Sequence, residues 1–309
     1  MCKNSPSRIR KTNSRGIAVA LVLAVFSQLP ESVGAQVGEP QKRSLLFQRD
    51  AQQDFISIAG LKVAVWQPQA LKQPAPLVIF SHGFHGRNTQ SSFLMTAMAK
   101  AGYLVMAPDH DDANTLGKPA AMRSEVAFKQ ADCWSETTYK KRGQDIENLL
   151  AALHKDPNWS KRIDWPKVAL CGHSLGGYTV LGLAGAWSSW KIPEVKAVLA
   201  LSPYCEPFIA HDTFGGIKIP VMYQGGTRDF GITPSVKRRD GAFAKTGSPS
   251  YFVEFEKMGH LGWTGFNQNA NQQDLIDFYS IAFLDKYLKG DKSISLDDKR
   301  QGVAELTCK

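Results

Sequence analysis

The thirteen residues Val168–Val180, VALCGHSLGGYTV, decide how the rest of the chain is read. Val168 to Cys171 form a short apolar run of the length of a buried parallel strand. From Leu175 to Trp187 the apolar spacing is that of a helix. Ser174 stands between the two, with Gly172 and Gly176 two positions away on either side and Gly177 next in line. A strand-to-helix turn this tight strains the serine backbone and exposes its hydroxyl at the C-terminal end of the strand. Glycines leave room where a Cβ would clash. The helix N-terminus behind the serine offers free backbone N–H groups and the positive end of a dipole to a developing negative charge. The five residues G-x-S-x-G alone would also suit a structural turn. The strand before them and the helix after them point to an activated serine.

The same alternation continues along the chain on both sides. Phe55–Trp66 alternates apolar and polar residues on both sides of Gly60 and is expected to form an antiparallel hairpin. Buried strands are expected at 77–80, 103–107, 195–201, 219–223 and 251–255. Helices are expected at 92–101, 138–155, 234–245 and 274–288. Strands alternating with helices imply an α/β fold: a mainly parallel central sheet covered by helices on both faces, with the leading hairpin as an antiparallel edge.

A serine hydroxyl needs a base to take its proton. His260 follows the last buried strand and stands on the loop EKMGHLGW, on the same side of the sheet as Ser174. A carboxylate must then orient the imidazole and stabilise its cationic form. Asp229, in YQGGTRDFG after the preceding strand, is the first choice; Glu206, in LSPYCEP, is the runner-up and Asp212 the third. The order serine, acid, histidine is the one this type of turn uses. An oxyanion needs two N–H donors, each worth roughly 3 kcal/mol in the transition state. The backbone of Leu175 and that of Phe84, in the loop FSHGFHGR, are the candidates. Trp134, Phe230 and Trp263 fall in loops near these elements and are candidate pocket residues.

The segments PLVIFSHGFHG, KAGYLVMAPDHDDAN and VALCGHSLGGYTVLGLAGA, with the Asp229 and His260 blocks, resemble the α/β-hydrolase superfamily. They are most similar to its bacterial serine esterases grouped with dienelactone hydrolases and platelet-activating-factor acetylhydrolases. The resemblance covers most of residues 75–265 and implies ester hydrolysis through an acyl-enzyme on Ser174. The chain departs from the acetylhydrolase pattern where the acid would follow the strand after the elbow helix, the helix that begins directly after Ser174, because Ser202 and Pro203 stand there. A cysteine nucleophile, as in dienelactone hydrolase itself, is absent. Residues 202–218 are too few for a large helical lid, so short acyl chains are expected. The substrate is a small-molecule or lipid ester. A lipid-directed acetylhydrolase, a serine peptidase of the same fold and an inactive binding module remain as alternatives.

The N-terminus has its own signature. Lys3, Arg8, Arg10, Lys11 and Arg15 precede the apolar run Gly16–Phe26, and Val33-Gly34-Ala35 offers small residues for cleavage. This reads as a signal peptide over 1–35, followed by a single catalytic domain over 36–309 and a periplasmic or secreted protein. The apolar run is shorter than the ~20 residues that a spanning helix needs, so no stable membrane span is expected after cleavage. The chain carries a net charge of +9, but without a basic run that would suggest nucleic acid. No Cys-x-x-Cys or His-x-x-x-His spacing suggests a metal, and the chemistry calls for no cofactor. Of the five cysteines, Cys2 leaves with the leader. Cys133 and Cys205, both in loops on the catalytic rim, are the expected disulfide, worth about 4 kcal/mol on a chain-entropy argument. Cys171, inside a strand, is expected to be a buried free thiol.

Overall fold

The computed structural model describes residues 51–68, 74–114 and 124–309. All belong to one compact unit, Arg49–Lys309. The expected leader 1–35 and the domain start at residue 36 lie outside the described residues.

Nine strands form a single sheet: β1 (Ala51–Ile58), β2 (Leu61–Pro68), β3 (Ala75–Ser81), β4 (Leu104–Pro108), β5 (Ile163–His173), β6 (Val195–Leu201), β7 (Val221–Gly226), β8 (Ser250–Phe255) and β9 (Val303–Cys308). Their spatial order is β1-β2-β4-β3-β5-β6-β7-β8-β9. The strands from β4 to β8 pair in parallel. The β1–β2 hairpin turns at Ala59 and Gly60, both with positive φ, and joins β4 antiparallel. The helices are α1 (Ser92–Lys100), α2 (Lys140–Lys155), α3 (Pro157–Ser160), α4 (Leu175–Leu181), α5 (Glu206–Ala210), α6 (Thr233–Lys237), α7 (Ala242–Lys245) and α8 (Ala270–Leu284). Among the described residues no helix is long and apolar enough to cross a membrane.

The two-residue period of the strands divides the core between two faces. Leu77, Ile79, Leu104, Met106, Val198 and Ala200 face α2 and α4, where they pack with Ile146, Leu149 and Leu153. Val78, Phe80, Val105, Ala107, Ala197 and Leu199 face α1 and α8, against Leu94, Met98, Ile276 and Phe283. Every second residue therefore supplies one of two apolar layers. The continuous apolar runs of the parallel strands follow from burial on both sides.

The structure revises three expectations. The helix expected over 234–245 is two short ones, α6 and α7. The chain leaves helical geometry at Arg238 and re-enters after Gly241, where a Cβ would lie 2.5 Å from the Ser235 carbonyl oxygen. The elbow helix keeps α geometry only to Leu181 and then widens into a π turn ending near Gly185, whose φ is +117°. Third, β9 adds an antiparallel strand at the far edge, pairing Val253 with Leu306. Its mixed burial reflects its edge position.

The parallel registers bring the C-terminal ends of the strands together. Ser81 pairs with Gly172, His173 with Leu201, and Gly226 with Phe255. Whatever follows β3, β5, β6, β7 and β8 is thus gathered along one edge of the sheet. Phe252, fully buried on β8, ties this edge to the core. Phe252→Ala is expected to lower unfolding stability by about 3–5 kcal/mol, read as a reduced urea midpoint. A loss below about 1 kcal/mol would mean that the core closes around the missing ring.

Candidate active site

The glycines around Ser174 answer to measurable crossings. A Cβ on Gly172 would lie 2.2 Å from the Gly176 carbonyl oxygen. One on Gly176 would lie 1.9 Å from the Ser81 carbonyl oxygen, and one on Gly177 would lie 2.4 Å from Pro203 Cβ. Ser174 itself has φ +55° and ψ −115°, a conformation few L residues adopt. Its amide donates to the Leu201 carbonyl at 3.1 Å, and its own carbonyl accepts from Tyr178 and Tyr204. The turn is held from both sides.

Ser174 Oγ lies 2.9 Å from His260 Nε2. Behind the ring, His260 Nδ1 stands 3.2 Å from Asp229 Oδ1 and 2.9 Å from Ser202 Oγ. Ser202 donates to Asp229 Oδ2 at 2.5 Å, and Thr233 donates to the same oxygen at 3.0 Å. The Asp229 carboxylate is buried and accepts from three side chains. Burial alone would raise its pKa. The hydrogen bond and charge of His260, helped by Ser202 and Thr233, outweigh that and hold it below the ordinary value. The other two candidate acids lie elsewhere. Glu206 forms a two-pronged pair with Arg238, and Asp212 pairs with Lys245 at 2.5 Å.

Leu175 is the first residue of α4, so its N–H has no partner within the helix. Among the described residues neither that amide nor the amide of Phe84 donates to another protein group. Phe84 sits in a turn closed by the Gly86 amide donating to the Gly83 carbonyl. Its ring packs edge-on to Phe128 and Tyr139. Gln90, which the sequence did not flag, spans the gap: its Oε1 accepts from the Gly83 amide at 3.0 Å, and its Nε2 donates to His173 Nδ1 at 2.9 Å. His173 in turn donates from Nε2 to the His260 carbonyl at 2.8 Å. Burial, and then the neighbouring His260, push the His173 pKa down to about 3. This imidazole is therefore neutral.

A cavity of about 600 Å³ opens over Ser174 and His260, walled by Phe84, Arg87, Leu261, Thr264 and Phe266 among others. The three aromatics expected to line it do not. Trp134 is buried among Phe128, Tyr139, Tyr178 and Tyr204. Trp263 is buried, its indole N–H donating to Gln224. Phe230 stands 80% exposed outside the wall. The apolar wall comes instead from Phe84, Leu261 and Phe266, the last two at 54% and 81% exposure. The Cys133–Cys205 disulfide is also corrected. Cys205 is a buried free thiol in contact with Ser235 Oγ at 3.1 Å, and burial pushes its pKa up to about 12. Its side chain is turned into the core, away from the rim. Cys171 is the buried free thiol expected of a strand residue.

The dienelactone hydrolase family model matches residues 61–280. The chain belongs to the dienelactone hydrolase family, and its mainly parallel sheet with helices is the α/β-hydrolase fold. It is 27% identical to the platelet-activating factor acetylhydrolase of Cavia porcellus, over 74% of this chain and 62% of that protein. It is 33% identical to esterase YjfP of Escherichia coli (strain K12), over 36% of this chain and 40% of that protein. The matches therefore span less than two thirds of either relative's length.

The depressed Asp229 pKa has a consequence for stability. In the unfolded chain the carboxyl titrates near its ordinary value of about 4. The ionised, hydrogen-bonded form stabilises the fold above that pH, and this contribution is lost as the pH falls through the lower folded value. Asp229→Asn should therefore cost stability at pH 7 and cost progressively less between pH 5 and pH 3. Urea midpoints of both proteins across that range test this; a constant difference would show that Asp229 is not held below its ordinary pKa.

Proposed function

We propose that this protein is a serine hydrolase of carboxylic esters working through an acyl-enzyme on Ser174. One observation carries the reading: Ser174 Oγ, His260 and Asp229 form a continuous hydrogen-bonded line beside two amides, at Leu175 and Phe84, that are unengaged among the described residues.

In this reading His260 Nε2 accepts the Ser174 proton as Oγ attacks the ester carbonyl. The carbonyl oxygen becomes an oxyanion, and the amides of Leu175 and Phe84 donate to it. His260 is then cationic, and Asp229, ionised and buried, stabilises that charge through Nδ1–H. The proton passes from His260 to the leaving alkoxide, and the alcohol departs. Water then repeats the sequence on the acyl-serine, with His260 as base, and releases the acid. No step calls on a metal or cofactor. A small-molecule or lipid ester is the substrate class, and short acyl groups are favoured. The segment 202–218 holds only α5 and one turn of 3-10 helix, and one relative is named an acetylhydrolase.

Export is part of the same proposal, supported by the basic leader, the Gly16–Phe26 run and the small residues at 33–35. The mature protein is expected to begin at Gln36 and to be periplasmic or secreted. N-terminal sequencing of protein recovered from an expressing bacterium checks this; an intact Met1 would refute it.

Activity is tested with p-nitrophenyl esters from acetate to palmitate. The wild type is expected to turn over acetate and butyrate faster than palmitate, and Ser174→Ala to lose more than about 10⁴-fold in kcat. Unchanged turnover in a folded Ser174→Ala variant would remove the serine from the mechanism. Faster turnover of palmitate would refute the short-chain preference.

A further inference from the structure

The proposed mechanism leaves unused a cluster of buried charge beneath the loop that carries Phe84. Arg142, on α2, is 2% exposed. Its Nη1 donates to both carboxylate oxygens of Asp112, at 2.9 and 2.8 Å. Its Nη2 donates to the His82 carbonyl and, at 3.3 Å, to Ser81 Oγ. Asp112 Oδ2 also accepts from the amide of His85 at 3.4 Å. The pair thus grips the loop on both sides of Phe84, at the carbonyl two residues before it and at the amide one residue after it.

Two histidines complete the support. His82 Nδ1 donates to the Gly83 carbonyl at 2.7 Å, and its Nε2 accepts from the amide of His110 at 3.1 Å. His110 lies between Asp145, 2.9 Å from Nδ1, and Ser81 Oγ, 2.9 Å from Nε2. Burial, followed by the charge of Arg142, pushes both imidazoles well below their ordinary pKa. Both are neutral struts; Lys141, half exposed, pairs with Asp145 from the solvent side, which leaves Arg142 as the buried cation of the cluster.

A buried ion pair is weak evidence for stability, since desolvation offsets its attraction. Here the guanidinium also keeps Nε buried with no acceptor among the described residues, an additional cost. The arrangement makes physical sense if geometry is what it secures. An oxyanion donor acts only when it is aimed within a few tenths of an ångström of the developing charge, and a loop amide has no helix or sheet to aim it. We propose that Arg142 and Asp112 are positioning residues that clasp the 82–85 loop and aim the Phe84 amide at the oxyanion. This rests on the esterase reading above.

The test uses the full-length protein with Arg142→Lys, Asp112→Asn and the double variant, on p-nitrophenyl acetate. Lysine reaches one acceptor but not the set, and asparagine keeps the shape of Asp112 without its charge. Each single variant is expected to lose roughly 10- to 100-fold in kcat with KM within about twofold. The affinity for a trifluoromethyl ketone, whose serine adduct places an oxyanion between the two amides, should fall by a similar factor. The double variant should lose no more than the worse single one, because the two act as a unit. Folded variants with wild-type kcat and ketone affinity would overturn the clasp and leave the esterase reading standing. Failure of both single variants to fold would make the pair a folding element and also overturn it. A wild type inert to every ester and to a fluorophosphonate at Ser174 would remove the esterase reading, and the clasp with it.

Discussion

At Gly176 a hydrogen occupies the space where a Cβ would lie 1.9 Å from the Ser81 carbonyl oxygen. The rest of the site depends on this approach. It lays the first turn of α4 across the end of β3, and so sets the loop bearing Phe84 beside Ser174. Gly172 lets α4 fold back over its own strand, and Gly177 lets it pass Pro203 after β6. Three glycines therefore correspond to three crossings, one for each strand end that meets there. The strained Ser174 backbone, a cost on the order of 1–3 kcal/mol, is tolerable because the neighbouring strand and Tyr204 take up its amide and carbonyl.

Burial then decides which polar group carries charge. His173 and His260 are ring neighbours at 4.9 Å, and two cations so close would each oppose the other. Burial keeps His173 neutral, with Nε2–H committed to the His260 carbonyl and Nδ1 to Gln90. It can brace His260 without competing for its proton. Asp229 is the reverse case. Its burial would favour the neutral acid, but three donors on two oxygens keep it ionised. The same low dielectric that makes an unpaired group costly makes a fully paired one effective.

The sequence made legible what depends on local rules. Strands buried on both faces read as apolar runs, and the glycine spacing at the elbow read as steric necessity within a few residues. What it hid depends on where loops point. Trp134, Phe230 and Trp263 are equivalent as aromatic loop residues in a string of letters, yet two are core and one faces solvent. Cys205 looked like a rim residue because it follows a strand; its side chain turns inward to Ser235. β9 was missed because an edge strand has one neighbour and half-buried side chains, and so a weak alternation. Arg142 was hidden by company: in Lys140-Lys141-Arg142 it reads as part of a solvated basic helix start, although it is the inward-facing member.

Ser202 shows how a departure from a familiar pattern can still hold a histidine and a carboxylate together. It stands after β6, where an acid would sit in the acetylhydrolase arrangement, and it cannot supply a charge. Its φ is +41°, and that of Ser174, at the end of adjacent β5, is +55°. Both are positive-φ residues without glycine's freedom, and each places a hydroxyl on one nitrogen of the same imidazole: Ser174 at Nε2 and Ser202 at Nδ1, both at 2.9 Å. Strain at two neighbouring strand ends is thus spent on one ring. Ser202 also donates to Asp229, so the carboxylate reaching across from the loop after β7 is anchored at the place left by the missing acid. The charge comes from one strand further along, while the serine keeps the ring and the carboxylate in register.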